Sequence, residues 1–179
     1  MDVNEAAVLQ IVLRTAAALL FLEAAIGKFA DRSGFEGVVA NYRVLPAPLV
    51  GPVARLLPPT EVLLAVGLLA GVLSPWPATA AAGLLLVFAA AMALNLRRGR
   101  AAIDCGCGRG GLRQPLSWSR VARNVVLAGL LVVTAPPKTA GLADWSLGLA
   151  GGGVLFLLDY TLAYLSSLAP RAAARGIPR

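Results

Sequence analysis

The chain has 179 residues, 58% of them hydrophobic and 14% charged, with a mean hydropathy of +0.76. Soluble domains carry about 25% charged residues, so this composition excludes a water-facing globular surface and assigns the chain to the lipid bilayer. A net charge of +7 with no histidine fits basic patches beside membrane spans rather than nucleic-acid binding, and it removes the commonest metal ligand and near-neutral general base.

The opening MDVNEAAVLQ is acidic, and the apolar run behind it extends to about Gly27. A secretory signal needs a positive n-region and a shorter core, so the segment is predicted to be an uncleaved first span from about Ala6 to Gly27. A spanning helix takes roughly 20 mostly apolar residues. In the second candidate, Leu49 to Leu73, Pro58-Pro59 interrupts the run. Proline is best tolerated in the first turn of a helix, so the span proper is expected to begin near Pro59, with Leu49–Leu57 as a re-entrant or interfacial lead-in. A third span follows from about Ala78 to Leu96, then a polar loop from Arg97 to Trp118, a fourth span from about Ser119 to Ala135, and a fifth from about Trp145 to Leu168. The expected fold is an all-α integral membrane bundle of about five transmembrane helices. Residues 1–168 form one domain, and residues 169–179 a basic tail expected to be disordered.

Lysine and arginine accumulate in cytoplasmic loops. With five alternating spans, fourteen basic residues lie on the side of the long polar loop and one, Lys138, on the other, with Arg14 inside the first span. The rule places the N-terminus outside and the polar loop in the cytoplasm. Arg14 is expected to snorkel toward the outer face. Gly67/Gly71 and Gly148/Gly152 form G-x-x-x-G pairs that suit close helix packing in lipid, expected within the bundle, although an oligomer is possible.

Ionisable groups at membrane depth are costly and mark function or pairing. Glu23, Glu61, Asn95, Asn124 and Asp159 all fall in the membrane half nearest the polar loop. They are expected either to pair with one another or with Lys28, Arg55 and Arg123, or to shape a polar pocket that moves protons or holds a substrate. That loop carries the only two cysteines, in Asp104-Cys105-Gly106-Cys107-Gly108-Arg109. A structural zinc site wants four ligands, which two cysteines without histidine cannot complete. Three readings stay open: a redox-active pair, Cu(I) bound by soft thiolates, and free cysteines without a role. For the first, a strained C-x-C disulfide would be labile, glycine would permit its backbone angles, and Arg109 and Arg113 would favour thiolate. Asp104 would oppose that effect or accept a proton.

Three stretches, FLEAAIGKFAD (21–31), FEGVVANYRVLP (35–46) and DCGCGRGG (104–111) ahead of WSRVARN, together resemble the MauE/DoxX-like family of redox-associated membrane proteins. Asn41, Tyr42 and Arg43, with Leu45 and Pro46, carry most of the likeness in the second stretch. The family loop commonly reads D-C-G-C-F-G, whereas Gly108 and Arg109 follow the second cysteine here. The resemblance implies a DoxX-like four-helix core plus one helix, in a bacterial inner membrane. It also implies a role in supplying or exchanging reducing equivalents for disulfide formation. In methylamine utilisation the implied partner is a thioredoxin-like protein, and the client is the disulfide-rich small subunit of methylamine dehydrogenase. Such a client matures outside the cytoplasm, while the charge asymmetry places the cysteines inside. One C-x-C pair cannot relay electrons across a membrane alone, so a second carrier, such as a quinone or a partner protein, is expected. The rival functions are a non-catalytic membrane scaffold and a Cu(I) handler or small transporter.

Overall fold

The computed structural model describes residues 3–71, 74–106, 115–136 and 138–175, with 166–175 as backbone only. Among them the chain forms six α-helices: α1 (Glu5–Ala30), α2 (Arg32–Tyr42), α3 (Ala47–Ala70), α4 (Trp76–Arg97), α5 (Trp118–Val133) and α6 (Leu142–Arg175). The only extended pairing among these residues is an isolated bridge between Asp104 and Pro115. The all-α membrane bundle expected from composition is therefore the observed fold. Four helices, α1, α3, α4 and the Leu142–Leu165 part of α6, are long and apolar enough to cross a membrane.

The expected fourth span is shorter than a full crossing. Helix α5 has 16 residues, about 24 Å at 1.5 Å per residue, against a hydrocarbon core of about 30 Å. It packs along α4, and the chain just past its C-terminal end is tied to α1. At its C-terminal end Gln10 of α1 donates to the Thr134 and Pro136 carbonyls, the latter at 2.6 Å. Arg14 Nη2 donates to the Ala135 carbonyl at 3.5 Å and to the Ser74 hydroxyl. These carbonyls belong to the C-cap and the turn just past α5, and α1 gives them donors. Arg14 is 8% exposed and so does not snorkel. It serves as a buried tie from α1 to the turns after α3 and α5, a role invisible from its position in an apolar run.

Two other expectations are corrected. The lead-in to the second span is not a separate segment: α3 is continuous from Ala47 to Ala70 with Pro52, Pro58 and Pro59 inside it. Prolines are tolerated in membrane helices where the surroundings re-satisfy the freed backbone groups. The stretch read as the first loop contains α2. Asp31 starts it by accepting the Gly34 amide at 2.8 Å, and Arg43, in the left-handed conformation at φ 48°, ends it. At the other end of the chain, α6 continues through Arg175 into the basic segment assigned to a tail.

Alanine dominates the core. Ala17, Ala18 and Phe21 of α1 meet Ala65 and Leu68 of α3, Ala81 and Ala82 of α4, and Ala128 and Leu131 of α5. Small side chains let helix backbones approach where lipid gives no hydrophobic drive to associate. The G-x-x-x-G pairs serve the same purpose within the chain. A Cβ on Gly148 would lie 2.5 Å from Ile11 Cβ, and one on Gly152 2.5 Å from Thr15 Cβ, so α6 lies directly on α1. Gly67 faces Pro77 of α4 at 3.1 Å, and Gly71 closes α3 at φ +65°.

Candidate functional site

A cavity of about 400 Å³ lies within the half of the bundle nearest the cysteine loop. Helices α1, α3, α4 and α5 form its walls through residues such as Leu20, Leu57, Leu85 and Leu127. Helix α2 contributes Phe35, Val38 and Tyr42, and the loop contributes Cys105 and Gly106. Most of the lining is apolar, and a few polar groups converge on it, the pattern usual for small-molecule sites.

Its central polar feature is an ion pair. Lys28, at the end of α1, places Nζ 2.6 and 2.8 Å from the two carboxylate oxygens of Glu61 on α3. The side chains are 5% and 0% exposed. Lys28 Nζ also lies 5.2 Å from the Phe35 ring centre and 5.7 Å from that of Phe88, within the range of cation–π attraction. Glu23, one turn back along α1, lines the same cavity and adds its charge to the field at Lys28. From α5, Asn124 and Arg123 reach the wall. Arg123 pairs with Asp159 of α6 at 3.0 Å and donates to Asn124 Oδ1 at 3.3 Å. Its Nε is buried with no hydrogen-bond partner among the described residues.

The loop is fastened to this site from above. Tyr42 Oη donates to the Cys105 carbonyl at 3.1 Å. Burial, and then the charge of Asp104, raise the Tyr42 hydroxyl above its ordinary value, with Arg120 opposing; the phenol therefore stays a donor throughout the physiological range. Asp104 Oδ1 accepts the Gly106 amide at 3.0 Å, a local turn of the kind aspartate favours. Cys105 is disulfide-bonded, and the described residues include no free cysteine. The chain's other cysteine, Cys107, lies outside the described residues, as does Arg109. Gly106 sits at φ +70°, where a Cβ would come within 3.1 Å of Val38 and 3.4 Å of Phe35. A non-glycine residue in this conformation costs roughly 1–2 kcal/mol, and the contact with α2 adds to that. Gly106→Ala should therefore loosen the loop from its roof, read as faster limited proteolysis between Arg100 and Trp118 with the rest of the protein equally resistant.

The structure thus brings together Glu23, Lys28, Tyr42, Glu61, Asn124 and Cys105, with Asp104 beside them. The pairing expected for the membrane-depth charges is observed as Lys28–Glu61 and Arg123–Asp159, whereas Arg55 is exposed and joins neither. Asp159 reaches the site only through Arg123. Asn95 is fully buried but tied elsewhere: it donates to the Ala91 carbonyl at 3.1 Å and accepts from Arg100 at 3.1 Å, fixing the turn after α4. Asn41 and Arg43 are exposed, and the Arg43 carbonyl accepts from Arg98 at 3.3 Å. Sequence reasoning missed Phe35, Val38 and Phe88. The first two share a stripe with Tyr42 at i, i+3 and i+7, the helical spacing of a segment read as a loop.

Apolar spans packed through small residues around a cavity roofed by the cysteine loop define a multi-pass helical membrane protein. Its relatives agree. The chain belongs to the MauE family: the family profile described as Methylamine utilisation protein MauE matches residues 6–137. It is 45% identical over 166 residues to "Methylamine utilization protein MauE" of Paracoccus denitrificans, covering 90% of this chain and 89% of that one. Proteins of the same description from Paracoccus versutus and Methylorubrum extorquens are 40% and 42% identical, over 89% and 84% of this chain and 88% and 83% of theirs. No solved structure matches the chain significantly.

Proposed function

We propose that this protein carries out thiol–disulfide exchange at the membrane in support of methylamine utilisation, maturing a disulfide-containing client through the Cys105/Cys107 pair. The observation that carries the reading is that Cys105, already disulfide-bonded, lines the same cavity as the buried Lys28–Glu61 pair. A structural staple needs no ionisable pair beneath it. An exchanging pair has a use for one, because protons leave and return to the sulfur atoms as it cycles between dithiol and disulfide. The methylamine link comes from the printed description of the relatives. A thioredoxin-like protein is the partner proposed to exchange with the pair. The location proposed is a bacterial inner membrane, with the N-terminus outside and the cysteine loop on the cytoplasmic side, so exchange with an exported client passes through a second carrier. Charge asymmetry supports this placement.

Trapping tests the reading. Exchange proceeds through a mixed disulfide, so replacing the resolving cysteine freezes it. One of Cys105→Ser and Cys107→Ser should accumulate a dithiothreitol-sensitive adduct with a second protein in cells, visible on non-reducing gels. If neither does, and the double variant supports growth on methylamine as well as the unaltered protein, the reading fails. The scaffold alternative loses its main surface, since Gly148 and Gly152 are occupied by α1.

A further inference from the structure

We infer that the cavity beneath Cys105 is the binding site of a lipophilic quinone, which takes up the two electrons released when the reduced Cys105/Cys107 pair closes to a disulfide. The inference rests on the exchange reading above and supplies the oxidant that reading requires.

Three observations point to an occupant that arrives from the bilayer. Helices α3 and α4 meet at Gly67 and Pro77 but otherwise pack lightly, and the cavity lies between them nearer the cysteine loop. Val87, 62% exposed on the outer surface of α4, lines the cavity as well. Val87 thus puts one edge of the cavity at the outer face of a membrane helix, where lipid lies. The walls are apolar along the way in, which suits an isoprenoid tail and repels a hydrophilic substrate.

The polar groups inside are of the kind that two carbonyl oxygens require. Lys28 Nζ gives two of its three protons to Glu61. Arg123 has a buried Nε without a partner among the described residues, and Asn124 presents an amide at the wall. An acyl chain would leave these donors unmatched, and buried unpaired donors are costly. Phe35 and Phe88, the rings on either side of Lys28, provide flat apolar contact for a quinone ring.

The step balances. Two thiols lose two protons and two electrons and form one S–S bond; the quinone gains both electrons and two protons and becomes a quinol. Glu61 and Glu23 are carboxylates lining the same cavity, placed to pass the protons.

The test uses the full-length protein in phosphatidylcholine nanodiscs with decylubiquinone. A photoreactive azidoquinone should label peptides from α3 or α5 bordering the cavity, and decylubiquinone should compete. Filling the cavity with Leu57→Trp, or from the opposite wall with Leu127→Trp, should cut labelling at least tenfold, while Gly153→Val, outside the cavity, leaves it unchanged. Dithiothreitol-reduced protein, freed of reductant, should regain its disulfide on adding decylubiquinone with one quinol formed per disulfide. Labelling without competition, labelling unaffected in both filled variants, or binding without thiol oxidation would each overturn the inference. Loss of quinone binding with mixed-disulfide trapping intact would leave the exchange reading standing. Quinone-driven oxidation with no trapping in either cysteine variant would sink partner exchange and leave the quinone site.

Discussion

Glu61→Ala should lower the stability of the purified protein by about 3–5 kcal/mol, the cost of breaking a buried ion pair by removing one partner. In a chain of this size the apparent melting temperature should fall on the order of 10 °C. The reason is geometric. Lys28 is held by both Glu61 oxygens, at 2.6 and 2.8 Å, with two aromatic rings around the rest of its ammonium group. With Glu61 gone, that charge remains in an apolar pocket with nothing bonded to it. Lys28→Ala should cost a comparable amount by stranding the carboxylate. Replacing both, as in the Lys28→Met/Glu61→Met variant, should recover most of the loss, because well-packed apolar residues replace a buried pair at little cost. Thermal unfolding of the three variants in one detergent forms a double-mutant cycle. Additive losses would show that the pair is not coupled as the structure has it. The double variant separates folding from function: stable but inactive in thiol oxidation, it would mark the pair as chemistry rather than scaffolding.

Gly152→Val should detach α6 from the rest of the bundle. A Cβ at this position lies 2.5 Å from Thr15 Cβ and 2.8 Å from the Val12 carbonyl oxygen, and the neighbouring contact at Gly148 is equally close to Ile11. Overpacking typically costs 1–3 kcal/mol, and here a backbone oxygen cannot rotate away. Because α6 joins the bundle chiefly through α1, the loss falls on that helix alone, leaving Lys28 and Glu61 paired. Limited proteolysis in detergent should release a fragment beginning near Thr139, while the remainder stays protected. Gly153→Val is the control: nothing lies within 4 Å of a Cβ there, so its proteolytic pattern should match the unaltered protein. Equal sensitivity of the two variants would refute the close α1–α6 contact.

Much of the architecture was legible because bilayer thickness imposes a length on apolar runs. Ala6–Gly27, Ala78–Leu96 and Ser119–Ala135 each correspond to an observed helix within a few residues. What composition could not carry was the exchange of backbone partners between helices. Nothing in the run around Arg14 announces that its guanidinium will tie down the turn after α5, since the receiving carbonyl lies about 120 residues further on. The proline pair in α3 misled for a related reason: proline removes a hydrogen bond wherever it sits, and only tertiary surroundings decide whether the helix survives. At the site, charged residues at membrane depth were informative because they are rare, and Glu23, Lys28, Glu61 and Asn124 fall together as that logic predicts. Asn95 was suspected on the same grounds and serves a turn instead. The apolar walls were illegible, since Phe35 and Phe88 look like any other membrane residue until α2 folds over the cavity.

The hydrogen bond from Tyr42 to the Cys105 carbonyl makes the cysteine loop and α2 one mechanical unit. A protein partner that lifts Cys105 to reach its sulfur must break that bond or draw α2 along with it. Either movement opens the ceiling above Lys28 and Glu61. If the exchange and quinone proposals hold, contact with a partner above and occupancy of the cavity below are coupled through this one bond.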